Sequence, residues 1–362
     1  MRQSRFLAPW RHSTEKPALY HLVTRVVERR FAFGVEEKER FRTLMRMMER
    51  FSGCRVLTYC VMCNHVHILL EVPPMREGGL SDAELFERLG VLYSEIFVAG
   101  VAKELEQARN EGDEAMVAEI HQRFTYRMHD LGQFMKGLLQ RFSQWFNGQH
   151  HRTGTLWEQR FKSVIVESGT AARTIAAYID LNPVRAGMVS DPADYRWSSY
   201  GEAVGGGAKG NGKKAREGLV RACMSHKGIG FDAEKWKEVS RIYRRAMGMA
   251  LGRKPGKTQD FETQDTRKKA HAITKNTEEM LESEDNETVL PDLGMAGMLM
   301  KRVRYFTDGA VIGSKEFVNE AFAGSRERFT ERRKDGARRM RGSGAAAKDL
   351  LWSMRDLRVG VE

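Results

Sequence analysis

Two histidines two residues apart, His65 and His67, lie in the apolar stretch YCVMCNHVHILLEV at residues 59–72. The stretch is rich in valine, isoleucine and leucine, which is typical of a buried β-strand. Side chains two residues apart on a strand lie on the same face. The two imidazoles are therefore neighbours, and neutral imidazole is a common ligand for transition metals. The spacing leaves two interpretations open, a metal site or one structural histidine beside another at the strand edge.

A second pair, Tyr178 and Asn182, lies in the segment IAAYIDLNP at residues 175–183. The pattern predicts a helix over residues 170–181 that is stopped by Pro183, and residues four apart share one face of a helix. The amide oxygen of Asn182 is a suitable ligand for Mg²⁺ or Mn²⁺, and Tyr178 offers a phenolic oxygen one turn away. Packing of the tyrosine and capping of the helix by Asn182 would also explain the pair, and for this pair alone that is the favoured interpretation.

A further metal motif, the C-x-x-C formed by Cys60 and Cys63, is weaker. Such pairs occur in zinc sites, but an odd spacing on a strand places the two sulfur atoms on opposite faces. The odd spacing therefore argues against a zinc site at this motif unless the chain turns between the two residues. With 4 cysteines in 362 residues, we expect a reducing compartment rather than a disulfide scaffold.

The elements that must position these residues predict an α+β fold. Residues 18–27 alternate as a first strand, residues 34–51 have helical periodicity, and residues 55–59 lead into the histidine strand. This order of strand, helix, strand and strand excludes an all-α protein. Residues 81–147 are mostly helical in pattern, with Ser81 and Glu84 placed for a capping box. A strand is expected near residue 166, before the tyrosine helix.

The composition changes after residue 203. Residues 204–217 are rich in glycine and lysine and are predicted to be a linker. Residues 218–362 are predicted to be a basic, mostly helical region, partly disordered over residues 252–292. Two helices on either side of Ser314, a predicted N-cap, would be compatible with a helix-turn-helix, although most helix pairs do not read DNA. The arginine-rich residues 325–342 are typical of nucleic-acid contacts.

The charge balance favours a polyanionic partner. Lysine and arginine number 60 against 48 acidic residues, giving a net charge of +12, and nucleic acid is the usual partner of such a surface. The first residues lack the apolar segment of a secretory signal. No apolar run is long enough to span a membrane. We therefore expect a cytoplasmic, DNA-associated protein with no membrane partner.

Several segments together resemble one family. They are the NHVH strand, RTGTLWEQRFKS at residues 152–163, YIDLNPVRAG at residues 178–187 and DYRWSSY at residues 194–200. Their order resembles the HUH single-tyrosine transposases of the insertion sequence 200 kind, and most closely the REP-associated tyrosine transposases. The resemblance implies a catalytic domain over residues 15–203, with an antiparallel ferredoxin-like (RRM-like) sheet and a helical insertion over residues 75–130.

The resemblance also implies roles for the residues. His65 and His67 match the metal ligands, Asn182 matches the third ligand position, and Tyr178 matches the nucleophile. A divalent metal, Mg or Mn, would act as a Lewis acid, and Tyr178 would form a covalent phosphotyrosine. The family acts on single-stranded hairpin or repeat DNA, and it includes dimers that share sites, so a homodimer is compatible with the resemblance.

Basic residues near these motifs are candidate DNA contacts. Arg152, Arg160 and Lys162 flank Trp157, and Arg185 follows the tyrosine helix. Basic side chains neutralise phosphates, and an aromatic ring can stack on an unpaired base. A tryptophan packed in the core beside a solvated charged face would give the same pattern, so both interpretations stay open.

One position departs from the family pattern, because Cys63 stands where the family commonly has proline; we expect this to change a turn rather than the chemistry. All four site positions carry competent residues, which favours a transposase that cleaves and rejoins DNA. The alternative is a sequence-specific DNA-binding protein on the same fold with weak or lost catalysis. A metal-free RNA-binding α+β protein is a third hypothesis.

Overall fold

The computed structural model describes residues 5–207, 209–224, 233–248, 299, 303–340 and 351–355. The strands are β1 Ala18–Arg25, β2 Arg55–Val61, β3 His65–Val72, β4 Lys162–Val166, β5 Val311–Gly313, β6 Arg338–Arg339 and β7 Trp352–Met354. The helices are α1 Val35–Ser52, α2 Asp82–Leu89, α3 Glu95–Asn110, α4 Glu114–Thr125, α5 Leu131–Gln149, α6 Thr170–Asp180, α7 Asn182–Arg185, α8 Ser199–Gly205, α9 Gly210–Met224, α10 Ala233–Ala246, α11 Arg304–Asp308 and α12 Lys315–Ala323. The α+β prediction is confirmed.

The strands form one sheet in the order β2-β3-β1-β4-β5-β7-β6. The first four strands pair antiparallel, with β3 and β4 on either side of β1, which is the ferredoxin-like order that the resemblance implied. Strand β5 pairs parallel with β4 and continues the sheet. In the β1–β3 register, Val23 lies opposite His67 and Arg25 opposite His65, so both histidines lie near one end of the two central strands.

Helices cover both faces of the first four strands. Thr58 of β2 hydrogen-bonds Asp180 of α6, whereas the next residue, Tyr59, has the guanidinium of Arg46 from α1 over its ring. Successive strand residues point to opposite faces, so α6 and α1 lie on opposite sides of the sheet. Burial on both faces explains why the histidine strand β3 reads as a nearly continuous apolar run.

The predicted linker differs from the structure. Helix α8 extends to Gly205, and α9 already begins at Gly210, so much of the segment is helical. A Cβ atom on Gly218 would lie only 2.5 Å from the main-chain oxygen of Leu57 in β2. Gly218 directly follows the predicted linker and lets α9 pack closely on β2. Within the linker itself, a Cβ atom on Gly212 would lie only 2.4 Å from the main-chain oxygen of Gly206, so glycine there also permits close packing. Arg221 of α9 also donates a 2.8 Å hydrogen bond to the buried carboxylate of Glu71 in β3.

The C-terminal region adds strands that the sequence did not predict. Ser314 is an N-cap as expected, since its Oγ accepts a 3.2 Å hydrogen bond from the Phe317 amide. Strand β5, however, separates α11 from α12, so these two helices do not form a helix-turn-helix. The segment predicted to be disordered, residues 252–292, lies outside the described residues. The capping box of Ser81 and Glu84 at α2 is confirmed.

Candidate active site and metal ligands

His65 and His67 begin strand β3 and lie on one face of it. Their ring centroids are 5.1 Å apart and the ring planes are nearly perpendicular. His67 is only 4% exposed, and His65 is half-buried at the end of the strand. The side-by-side arrangement that the two-residue spacing indicated is therefore present in the structure.

The orientation of the His65 ring is set by its neighbour in sequence. Its Nδ1 lies 2.7 Å from Oδ1 of Asn64, and the Asn64 amide nitrogen donates a 2.9 Å hydrogen bond to the main-chain oxygen of Arg29. Because that oxygen can only accept, the Asn64 Oδ1 faces the imidazole and accepts from Nδ1–H. A neutral His65 then carries its lone pair on Nε2, the atom that a metal would need.

The His67 ring contacts a third histidine, His21 of β1. The His21 Nε2 lies 2.9 Å from the His67 Nδ1, and the His21 Nδ1 lies 2.7 Å from the main-chain oxygen of Phe306 in α11. Burial lowers the pKa of His21 to about 4, and burial is also the main cause that holds the pKa of His67 well below its usual value. Both rings are therefore neutral near pH 7.

Tyr178 of α6 lies beside His67 within the same chain. The two ring centroids are 6.2 Å apart. The guanidinium of Arg185 lies 3.9 Å from the centre of the tyrosine ring, and the ring of Phe306 packs edge-on at 4.9 Å. Tyr178 is only 3% exposed. The predicted nucleophile and one predicted metal ligand are therefore brought together, under a covering side chain from α11.

Asn182 follows one turn after the tyrosine and begins the short helix α7. Its amide nitrogen donates to the main-chain oxygens of Tyr178, at 3.3 Å, and Ile179, at 3.0 Å. The nitrogen thus caps the preceding helix, as one interpretation of the sequence had it. The capping bonds use only the nitrogen, so Oδ1, on the other branch of the amide, is the atom suited to a metal ligand.

The three side chains have the donor atoms that Mg²⁺ or Mn²⁺ would need. Two imidazoles and one amide oxygen make a mixed nitrogen and oxygen set, which suits such ions. Among the described residues, no group of three or more His, Cys, Asp or Glu side chains could hold a metal. The C-x-x-C pair likewise belongs to no such group in the part of the chain that the structure describes.

The first of the comparisons with known proteins is a family match. Residues 15–77 match a family model described as "Transposase IS200 like", and these residues contain β1, α1, β2 and β3 with His65 and His67. The matched segment is therefore similar to IS200-like transposases. The family prediction is thereby confirmed for this segment.

A solved structure described as "Structure of the REP associates tyrosine transposase bound to a REP hairpin" is also similar to the chain. The identity is 12%, the TM-score is 0.35, and the match covers 64% of this chain and 95% of that one. No curated protein matches the chain. Within the described residues, no helix has both the length and the apolar character needed to cross a membrane.

The candidate DNA contacts that follow the IS200-like segment have different surroundings. Trp157 packs against Phe33 and Phe142, with ring centroids 5.9 and 5.8 Å away, and its indole N–H donates a 2.8 Å hydrogen bond to Ser143. These contacts correspond to the packing interpretation rather than to a stacking platform. Arg160 is exposed, and the half-buried Arg152 lies near the ring of Phe146.

The two remaining basic residues contact the C-terminal region. Lys162 forms a 2.5 Å ion pair with Asp308 of α11. Arg185 is directed inward, and it donates 2.8 Å hydrogen bonds to the main-chain oxygens of Leu299 and Tyr178. Desolvation lowers the pKa of Arg185. In this conformation, Arg185 orients the tyrosine rather than presenting its charge to solvent.

The sequence reasoning missed two residues of this site, His21 and Phe306. A signal for His21 was present, because it interrupts the apolar strand ALYHLVTR at residues 18–25 just as His65 and His67 interrupt theirs. Phe306 gave no such signal. It contributes a ring and a main-chain oxygen from a position 285 residues after His21, and many apolar residues could supply both.

Proposed function

We propose that this chain is a metal-dependent DNA transposase that cleaves and rejoins single-stranded DNA through a covalent 5′-phosphotyrosine at Tyr178. The observation that carries the proposal is the position of Tyr178 beside His67, at 6.2 Å between ring centroids, in a chain whose histidine strand is IS200-like. Asn182 follows on the same helical face one turn later. All the groups of the proposed chemistry thus come from a single chain.

In the proposed reaction, the phenolic oxygen of Tyr178 bonds to phosphorus and the P–O3′ bond breaks. The phenolic proton is lost to solvent, and the departing 3′ oxygen keeps the electron pair and takes up a proton. Attack of a 3′-hydroxyl on the phosphotyrosine reverses these steps and rejoins DNA without ATP. His65, His67 and Asn182 would hold Mg²⁺ or Mn²⁺, which when bound polarises the phosphate as a Lewis acid.

The residues around the nucleophile have positioning tasks. Arg185 lies against the ring of Tyr178 and is tied to that residue's main-chain oxygen, so the tyrosine side chain has a fixed orientation before DNA binds. The net charge of +12 favours binding of a polyanion. The preference for hairpin or repeat DNA rests on the family resemblance.

The test is covalent trapping. The protein is incubated with labelled single-stranded oligonucleotides from the flanks of its own gene, with Mg²⁺ or Mn²⁺, and resolved on a denaturing gel. We expect a shifted protein–DNA band that is lost with chelator and in Tyr178→Phe. Tyr20→Phe is the matched control, since it removes a buried tyrosine hydroxyl elsewhere in the fold. A band of equal intensity in Tyr178→Phe would refute the assigned nucleophile.

A second function, DNA binding without catalysis, is favoured by one observation. Tyr178 is 3% exposed, and Phe306 packs against it, so a phosphate cannot reach the tyrosine in this conformation. Normal binding of the flanking oligonucleotides, with no covalent band in either metal, would establish the binding function instead. A covalent band that is lost in Tyr178→Phe would instead support catalysis, and DNA would then reach Tyr178 in a conformation other than this one.

A further inference from the structure

We propose that His21 is a positioning residue of the metal site, which holds His67 in the tautomer that leaves the Nε2 lone pair available to a metal. This proposal rests on the proposed function in one respect, namely that a metal binds at His67. It begins, however, from hydrogen bonds that can be tested in the metal-free protein. His21 lies outside the predicted ligand set, and its contacts are with one ligand and with the C-terminal region.

The direction of the two hydrogen bonds, from His67 to His21 and from His21 to Phe306, follows from the last acceptor in this series. The main-chain oxygen of Phe306 can only accept, so the His21 Nδ1, 2.7 Å away, must carry a proton. A neutral imidazole has one N–H, and His21 Nε2 is then an acceptor. The His67 Nδ1, at 2.9 Å, must donate to it. The remaining nitrogen of His67, Nε2, carries the lone pair.

The ring geometry supports this hydrogen bond. The His21 and His67 planes differ by only 21°, and their centroids are 5.1 Å apart. With a nitrogen–nitrogen distance of 2.9 Å, that separation is what two rings meeting edge to edge in one plane would give, so the contact is not face-to-face stacking. An in-plane hydrogen bond is directional, and it fixes both the tautomer of His67 and the rotation of its ring.

His21 cannot also be a third metal ligand beside His67 in this arrangement. Its Nε2 is occupied by the His67 N–H, and its Nδ1 by the Phe306 oxygen. The two ligand histidines are therefore supported alike. The His65 Nδ1–H donates to Asn64, whose amide nitrogen donates to the main-chain oxygen of Arg29. In the same way, the His67 Nδ1–H donates to His21, whose Nδ1–H donates to the main-chain oxygen of Phe306.

The first experiment reads the tautomer directly. The protein is labelled with ¹⁵N-histidine, and long-range proton–nitrogen correlation spectra of the metal-free protein show which ring nitrogen of His67 is protonated. We expect protonation on Nδ1 in the wild type. In His21→Phe, the buried Nδ1–H would lose its acceptor, so we expect the proton to move to Nε2. Protonation on Nε2 in the wild type, or on Nδ1 in both proteins, would overturn the proposal.

The second experiment measures Mn²⁺ binding alone, by the paramagnetic resonance signal of the free ion. Loss of an outer partner of a ligand histidine costs ~10–100-fold in metal affinity, and we expect this loss in His21→Phe. His21→Gln should restore affinity to within a few-fold, because a glutamine amide can accept from His67 and donate to Phe306. Equal Mn²⁺ affinity in all three proteins would contradict the proposal.

The two readouts separate this inference from the proposed function. A wild-type protein with Nδ1–H on His67 but no Mn²⁺ binding would refute the metal dependence while upholding the positioning by His21. If His21→Phe fails to fold, the spectra of the wild type and of His21→Gln still decide the tautomer. Tyr20→Phe is the matched control, because it loses a buried hydrogen bond on the same strand and should change neither the tautomer nor the affinity.

Discussion

The sheet has two halves that contribute to the site in different ways. The motif half, β2, β3, β1 and β4 with α6 and α7, supplies every side chain of the proposed chemistry. The added half, β5, β7 and β6 with α11, supplies the ring that covers Tyr178 and the main-chain oxygen that accepts from His21. The proposed reactive groups thus come from one half, and the cover of Tyr178 and the last acceptor behind His67 come from the other.

This difference bears on how such a site can be recognised. Metal ligation and nucleophilic attack require particular side chains, so the motif half has a recognisable pattern. A main-chain oxygen and an apolar cover can be supplied by many sequences. The added half can therefore diverge while it keeps its task, and the task is visible only in the folded molecule.

The largest effect should come from removing the cover. Phe306 is fully buried, and Phe306→Ala should lower the free energy of unfolding by about 3–5 kcal/mol, as measured by urea denaturation. Where the variant remains folded, Tyr178 loses a packing partner, so covalent trapping should be faster per folded molecule. Phe306→Leu is the control, because it keeps the main-chain oxygen and much of the volume. Adduct loss in folded Phe306→Ala would show that the added half takes part in the chemistry.

A similarly large effect is expected in the motif half, but on activity rather than on folding. His67→Ala removes a proposed ligand, and the rate of adduct formation should fall ~10²–10³-fold, the scale for losing one electrostatic stabiliser of a transition state. Single-turnover trapping measures it. The exposed His12 provides a control, His12→Ala, with unchanged rate. A wild-type rate in His67→Ala would contradict the proposal that the motif half supplies the metal ligands.

A further test concerns a buried carboxylate, Asp180, at the end of the tyrosine helix α6. Burial raises the pKa of Asp180 to about 6, and Asp180 accepts hydrogen bonds from Thr58 in the motif half and from Tyr243 of α10. In the unfolded chain, its pKa is about 3.9. Between these values, the folded state holds a proton that the unfolded state has released, so lowering the pH stabilises the fold.

The linkage predicts a measurable difference from Asp180→Asn, which cannot titrate. The stability of the wild type relative to the variant should be constant above about pH 7 and should rise by about 2 kcal/mol as the pH falls to about 4. Urea denaturation at a series of pH values measures it. A relative stability that falls with pH would mean that the folded state favours the ionised carboxylate, contrary to the pKa shift.

The sequence could predict the elements whose signals are local. His65 and His67 share a face because strand geometry requires it, and the helices begin at Ser81 and Ser314 because their side chains accept from the first-turn amides. The relation of Tyr178 to His67 came only from the family resemblance. The partnership of His21 with Phe306 depends on how α11 packs on β1. The glycines near residue 210 led to the prediction of a linker where the structure has helices. Glycine is favoured both by close packing and by chain flexibility, so the residue type alone does not distinguish them.

The smallest predicted effect tests whether Lys162 serves the contact between the halves or DNA. Its ion pair with Asp308 is exposed, so Lys162→Ala and Asp308→Asn should each change the free energy of unfolding by less than about 1 kcal/mol. If Lys162 contacts a phosphate, Lys162→Ala should also reduce the slope of the logarithm of DNA affinity against the logarithm of salt concentration by about 1. Asp308→Asn should strengthen binding, because it releases the lysine. Equal salt dependence in the wild type and both variants would show that Lys162 does not contact DNA and that its role is the ion pair with α11.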